Sequence, residues 1–296
     1  MPSFLKLKTE KPLALGPNPH IHAGQSITKI IWGTITALIP IVSGSLFFFG
    51  WNTLRIYFVS IISGLAFEFL FQLLTAQKTR IHDGSTVLMC LLFSFLMPPA
   101  IPSVLILIGI FITIVLTKEF FGGLGRYLFH PVLVGYACLL VLFPNQFMAA
   151  RYPASHMNWI YFFKNETGLL GTGSIFLILV TGLFLTIKRM IRWENVFFYL
   201  AFCTVGLYLT DFSFKFLFSD GFLLLTAFFL ITDSTTSPIT RTGRITSSTF
   251  AAFLTVALSS WMNLHQAVVS SVLISNSLVP LMDYFIVLKN EPEKSF

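Results

Sequence analysis

"SDGFLLLTAFFLITDSTTSP", residues 219–238, is the stretch whose reading decides the fold. Its apolar run stops after about a dozen residues, short of the roughly 20 that a helix needs to cross a bilayer. An acid, a cluster of hydroxyls and a proline follow. Lipid cannot satisfy the backbone groups freed by such a break, so protein or an internal cavity has to surround it. Asp233, Ser234, Thr235, Thr236 and Ser237 are then expected to line a ligand or ion path. A plainer alternative stays open: a surface loop whose Ser and Thr residues cap the next helix.

An earlier stretch, "HDGSTVLMCLLFSFLMPP" (82–99), follows the same plan of an Asp-Gly pair, an apolar run and closing prolines. Around these two the chain divides into ten hydrophobic segments: 27–49, 52–76, 84–97, 101–117, 130–147, 169–187, 195–210, 220–232, 246–261 and 266–288. The two short segments are the third and the eighth, so the repeating unit is five helices. Five is odd, and the second copy enters the membrane from the opposite face. Inverted repeats with short, interrupted helices in matching positions point to a site near the bilayer midplane, with "MPPAIP" as the symmetry partner of "TDSTTSP".

Composition supports this. Of 296 residues, 55% are hydrophobic and 10% charged, where a soluble domain would carry about a quarter charged. The apolar runs are continuous, which excludes the alternation of a membrane β-barrel. The net charge of +7 reads as topology. With the N-terminus in the cytoplasm, all Lys and Arg residues except Arg55, Arg151, Lys164 and Lys215 fall inside, Lys118 among them. No soluble domain is left to bind nucleic acid, so no such partner is expected. Cys90, Cys138 and Cys203 stand singly in apolar segments and read as small core residues. The expected organisation is a cytoplasmic segment 1–26, a first five-helix repeat 27–147, an extracytoplasmic loop 148–168, a second repeat 169–288 and a cytoplasmic tail 289–296.

Five stretches carry a family resemblance: "GPNPHIHAG" (16–24), "DGSTVLMCLLFSFLMPPAIP" (83–102), "KEFFGGLGRYLFHPVLVGYACLLVLFP" (118–144), "LLGTGSIFLIL" (169–179) and "DGFLLLTAFFLITDSTTSPITRTGR" (220–244). On these the chain resembles the NqrB/RnfD family, whose members are RnfD of the Rnf electron-transport complex and NqrB of the sodium-pumping NADH:quinone oxidoreductase. By length it lies nearer the Rnf branch. The resemblance implies an all-α polytopic membrane protein, ten transmembrane helices in two inverted five-helix halves like the urea transporters. It also implies the bacterial inner membrane, both termini in the cytoplasm, and other Rnf/Nqr-like membrane subunits as partners. The implied role is a membrane subunit of an ion-translocating electron-transport complex, part of a redox-driven translocase with no catalytic site of its own. The alternative is a stand-alone transporter or channel for a small solute or flavin on the same scaffold.

Flavin is the implied cofactor. The family's attachment signal for covalent FMN is missing from the 148–168 loop, where Thr167 is the nearest threonine and its surroundings do not match. Covalent FMN is therefore not expected, and noncovalent riboflavin or FMN is. Two asparagines usual in the family's glycine-rich turn are replaced by Tyr127 and His130. The candidate cofactor residues are Gly122, Gly123, Gly125, Tyr127, His130, Pro98, Pro99, Thr236, Ser237 and Pro238. For the glycines, close helix packing competes with phosphate binding at a helix N-terminus. Asp233, Thr235 and Glu68 form the candidate ion path, because an ionisable group at membrane depth is a functional hypothesis. Arg241 or Arg244, or a bound cation, is the expected partner of Asp233, and Glu68 is expected to pair with a neighbouring helix. Asp83 and Asp220 are expected to cap the two short helices.

Overall fold

The computed structural model of the chain describes residues 27–76, 81–148, 163, 168–210 and 221–290, with side chains to 285. Thr167, Asp220, the N-terminal segment 1–26 and nearly all of the 148–168 loop lie outside these residues, and so do the expectations placed on them.

Among the described residues all regular structure is helical, as continuous apolar runs in lipid require. In chain order the helices are α1 (Ile27–Phe49), α2 (Leu54–Leu74), α3 (Ser85–Phe95), α4 (Ser103–Phe111) and α5 (Pro131–Leu142). Then come α6 (Ile175–Ile187), α7 (Trp193–Leu209), α8 (Gly221–Leu225), α9 (Arg241–Ser259) and α10 (Leu264–Asn290). Two helices run on into π-helix, α4 over Ile112–Glu119 and α8 over Thr226–Leu230. Three described helices are long and apolar enough to cross a membrane, in Ile27–Phe49, Trp51–Leu74 and Leu264–Phe285.

Several boundaries differ from the hydrophobic segments for local reasons. Hydropathy ends the fourth segment at 117 and leaves Lys118 in a loop. The π-helix instead carries the chain through Glu119 and keeps Lys118 inside the protein. α5 stops at Leu142 because Pro144 follows and opens a separate short turn, Pro144–Met148. α9 begins at Arg241, five residues before its apolar run, because the Thr240 hydroxyl accepts a hydrogen bond from the Gly243 N–H at 3.0 Å.

Burial places α3 and α8 at the centre. Phe93, Phe95, Phe222, Leu225 and Leu230 are fully buried, whereas Phe47 of α1 is 82% exposed and Trp261, just after α9, is 88% exposed. Outer helices thus present apolar side chains outward, as a membrane protein does. The first-half and second-half elements pack head to tail. Along α1 and α6, Gly33 meets Met190, Gly44 meets Leu177 and Phe49 meets Gly173, a register that only antiparallel helices produce. Along α3 and α8, Phe95 and Leu225 both close on Gly171, while Ser85 and Thr232 line one cavity at the other end.

This direction overturns one expectation. The breaks after α3 and α8 lie at opposite ends of the pair. Pro98 follows Met97, whose carbonyl accepts from Leu170 N–H at 3.0 Å, and Pro99 lines a separate open recess with Trp51 and Arg55. Neither proline joins the hydroxyl cluster, because the two helices run antiparallel side by side and their C-terminal ends point apart.

Candidate functional site

The polar break after α8 is held in shape by one asparagine. Asn195, in the first turn of α7, donates to the Ile231 carbonyl at 3.0 Å and to the Ser237 hydroxyl at 2.9 Å. Ser237 in turn donates to Ile231 O at 2.9 Å, and its N–H bonds to Asp233 O at 3.1 Å. The backbone freed at the end of α8 is thereby paired inside protein, as the membrane setting demands.

A cavity of about 780 Å³ opens against this loop. Its floor is apolar, with Leu88, Met89 and Leu92 from α3 and Phe228 and Phe229 from α8. Its polar groups come from five places: Thr34 of α1, Ser85 of α3, the 124–130 turn, Thr232–Ser237, and Asn276 and Asp283 of α10. Its size, and an apolar floor with polar groups gathered along one side, are those of a small-molecule site.

The glycine-rich turn reaches the cavity through Gly125, Tyr127 and His130. Gly122, Gly123 and Gly125 all have left-handed backbone, φ 101°, 88° and 89°. A positive φ by itself favours glycine at all three positions. Gly122 and Gly123 do not line the cavity, and Pro238 is buried behind it.

Tyr127 is 4% exposed and lies beside Asp233 and Thr235. Burial, with the Asp233 carboxylate beside it, pushes the Tyr127 hydroxyl well above the usual phenol range, so it remains protonated. Asp233 accepts from Thr236 at 3.4 Å. Arg241 and Arg244, its expected partners, pair instead with Glu194 at 3.6 and 3.5 Å. His130 ends the turn just before Pro131, which starts α5 with its fixed φ. Its side chain is 4% exposed and its Nδ1 has no hydrogen-bond partner. The Asn276 carboxamide, turned to suit its neighbours, accepts from His130 N–H and donates to Val272 O, both at 3.2 Å, which ties the turn to α10. Asp83 caps as expected, accepting from Ser85 N–H at 2.7 Å.

Glu68 lies in a second cluster. Its partner is Lys118, whose Nζ stands 2.7 Å from Glu68 Oε1, 2.6 Å from Thr86 Oγ1 and 3.5 Å from Glu119 Oε1. Gln72 donates to Glu68 at 3.2 Å and to Glu119 at 3.4 Å. Glu68 and Lys118 are each 1% exposed. The π-helical stretch of α4 carries both Lys118 and Glu119 into the core; such distortions gather at functional sites.

The structure therefore brings together Gly125, Tyr127, His130, Asp233, Thr235, Thr236 and Ser237, and leaves out Pro98, Pro99, Gly122, Gly123, Pro238 and Glu68. Sequence reasoning missed Asn195, Asn276 and Lys118. A carboxamide inside an apolar segment was the available signal for the first two. Lys118 follows an apolar run directly and resembles a loop charge.

A membrane protein, helical throughout its described residues, with a cavity of mixed lining at a helix break is the class that this architecture defines. The chain belongs to the NQR2, RnfD, RnfE family, whose sequence profile matches residues 14–291. It is 30% identical over 280 residues to the D subunit of the ion-translocating oxidoreductase complex of Methanosarcina acetivorans, covering 94% of this chain and 96% of that one. It is 27% identical over 311 residues to the D subunit of the proton-translocating ferredoxin:NAD(+) oxidoreductase complex of Clostridium ljungdahlii, covering 92% and 93%.

Proposed function

We propose that this protein is a membrane subunit of an ion-translocating electron-transport complex of the Rnf type and holds a noncovalent flavin in the cavity between the glycine-rich turn and the Asp233 loop. Other Rnf-like subunits are its partners, as the names of its relatives suggest. The observation that carries the flavin reading is a cavity lined by Phe228, Phe229 and the buried His130, whose Nδ1 has no hydrogen-bond partner. A planar aromatic ligand with polar edges suits these groups: the phenylalanines take a ring face, and His130 and Thr232 stand at its rim. A flavin bound there would supply the electron relay. The protein's own residues bind and orient it, exclude water, and keep a proton on Tyr127 beside Asp233. Ions are proposed to pass by Asp233 and Thr235, with Glu68 as a buried relay.

Ten spans in two inverted halves, with both ends in the cytoplasm, complete the proposal. Support comes from the antiparallel register of α1 with α6 and of α3 with α8. Reporters fused after residue 99 and after residue 238 should then report opposite faces of the bacterial inner membrane. Finding both on one face rules out the inverted arrangement.

The flavin reading is tested by colour. Purified protein should show a flavin absorption spectrum, and acid precipitation should release that colour into the supernatant. His130→Leu should weaken retention about tenfold, the equivalent of roughly 1.4 kcal/mol and one lost hydrogen bond. A colourless wild-type protein would favour solute transport on the same scaffold.

A further inference from the structure

The Glu68–Lys118–Glu119 cluster carries two carboxyl groups against one ammonium, all sealed from solvent. Three of the four carboxyl oxygens face donors. Glu68 Oε1 receives Lys118 at 2.7 Å and Gln72 at 3.2 Å. Glu119 Oε1 stands 3.5 Å from Lys118 Nζ, and its Oε2 receives Gln72 at 3.4 Å. The fourth, Glu68 Oε2, is buried without any partner. If both carboxyls were ionised, one negative charge would remain uncompensated in the core, a state that proteins avoid by neutralising the group. A metal ion does not suit the place, because Lys118 Nζ already occupies the point between Glu68, Glu119 and Thr86. A proton needs no such room.

We propose that the Glu68–Glu119 pair holds one exchangeable proton, shared between its two carboxyl groups. The step breaks one O–H bond of a hydronium ion and forms one on a carboxyl oxygen, releasing water; no electron moves. The groups facing the pair are Gln72 from α2, Lys118 from α4, and Thr86 and Cys90 from α3. α3 also borders the cavity. Thr86 accepts from Lys118, and the preceding residue, Ser85, lines the cavity wall. A change of charge in the cavity therefore acts on the proton across two adjacent residues of α3; this coupling, unlike the proton itself, rests on the flavin reading.

Infrared difference spectroscopy of the purified full chain in lipid nanodiscs, titrated with acid and base, tests the proton directly. The wild type should show a protonated-carboxyl stretch that shifts on transfer to D2O. That band should vanish in Glu68→Gln and in Glu119→Gln, since either change leaves one carboxylate for one ammonium. If Glu68→Gln fails to insert, Glu119→Gln decides alone. The proposal is overturned by the absence of any such band at every pH where the wild type stays folded. A band unchanged in the variants overturns it equally. Because the measurement needs no flavin, a yellow protein without the band sinks only this proposal, and a colourless protein with the band sinks only the flavin reading.

Discussion

Lys118→Met is expected to lower the stability of the folded protein by about 3–5 kcal/mol, the usual cost of removing one partner from a buried ion pair. Methionine fills much of the space of the lysine stem, so the loss is electrostatic. Glu68 and Glu119 are left facing each other with Gln72 and Thr86 as their polar neighbours, and no cation of the cluster remains. Thermal melting in detergent, read as the surviving monodisperse fraction, should show a marked drop in midpoint. A second change, Glu68→Gln, should return part of that loss, because a neutral amide no longer needs the ammonium. Each single change would then cost more than its share of the double, the signature of directly coupled residues. A Lys118→Met protein that melts like the wild type would mean that the ion pair is not formed in the membrane.

Gly135→Leu should have the next largest effect. A Cβ at Gly135 would collide with the Thr113 hydroxyl and stand 2.8 Å from the Gly109 carbonyl oxygen. A backbone oxygen cannot rotate out of the way, so α5 and α4 have to separate. Overpacking of this kind costs roughly 1–3 kcal/mol, and the leucine branch adds to it. The consequence reaches function through α5, whose first turn follows His130. Stability and flavin retention should fall together. Val141→Leu, on the outward face of the same helix, should change neither. Flavin retention that survives Gly135→Leu would show that α5 does not position the cavity wall.

Much of the cavity lining was legible because the membrane makes polar residues conspicuous. Asp233 and the hydroxyls after Leu230 stood out against an apolar run, and the glycine-rich turn stood out by its spacing. The structure brings their central members to one cavity. The expected link between the two proline-containing breaks failed. Hydrophobic length marks where a helix stops but not which neighbour lies beside its end, and α3 and α8 are antiparallel. Asp233 likewise has Tyr127 where Arg241 or Arg244 was expected, because Glu194 at the start of α7 takes both arginines.

By itself the sequence determined a helical membrane protein, the positions of its helix-forming segments and the polar interruption that must be enclosed. Those follow from hydropathy and from the need to pair every backbone group in lipid, both of which act along the chain. Only the tertiary structure decided that Lys118 is an internal cation rather than a loop charge, that Asn195 holds the Ile231–Ser237 loop, and that His130 and Asp233 share a chamber. These are meetings of residues far apart in the chain. They depend on which faces of the helices interlock, and close approach at positions such as Gly135 and Gly171 sets those faces.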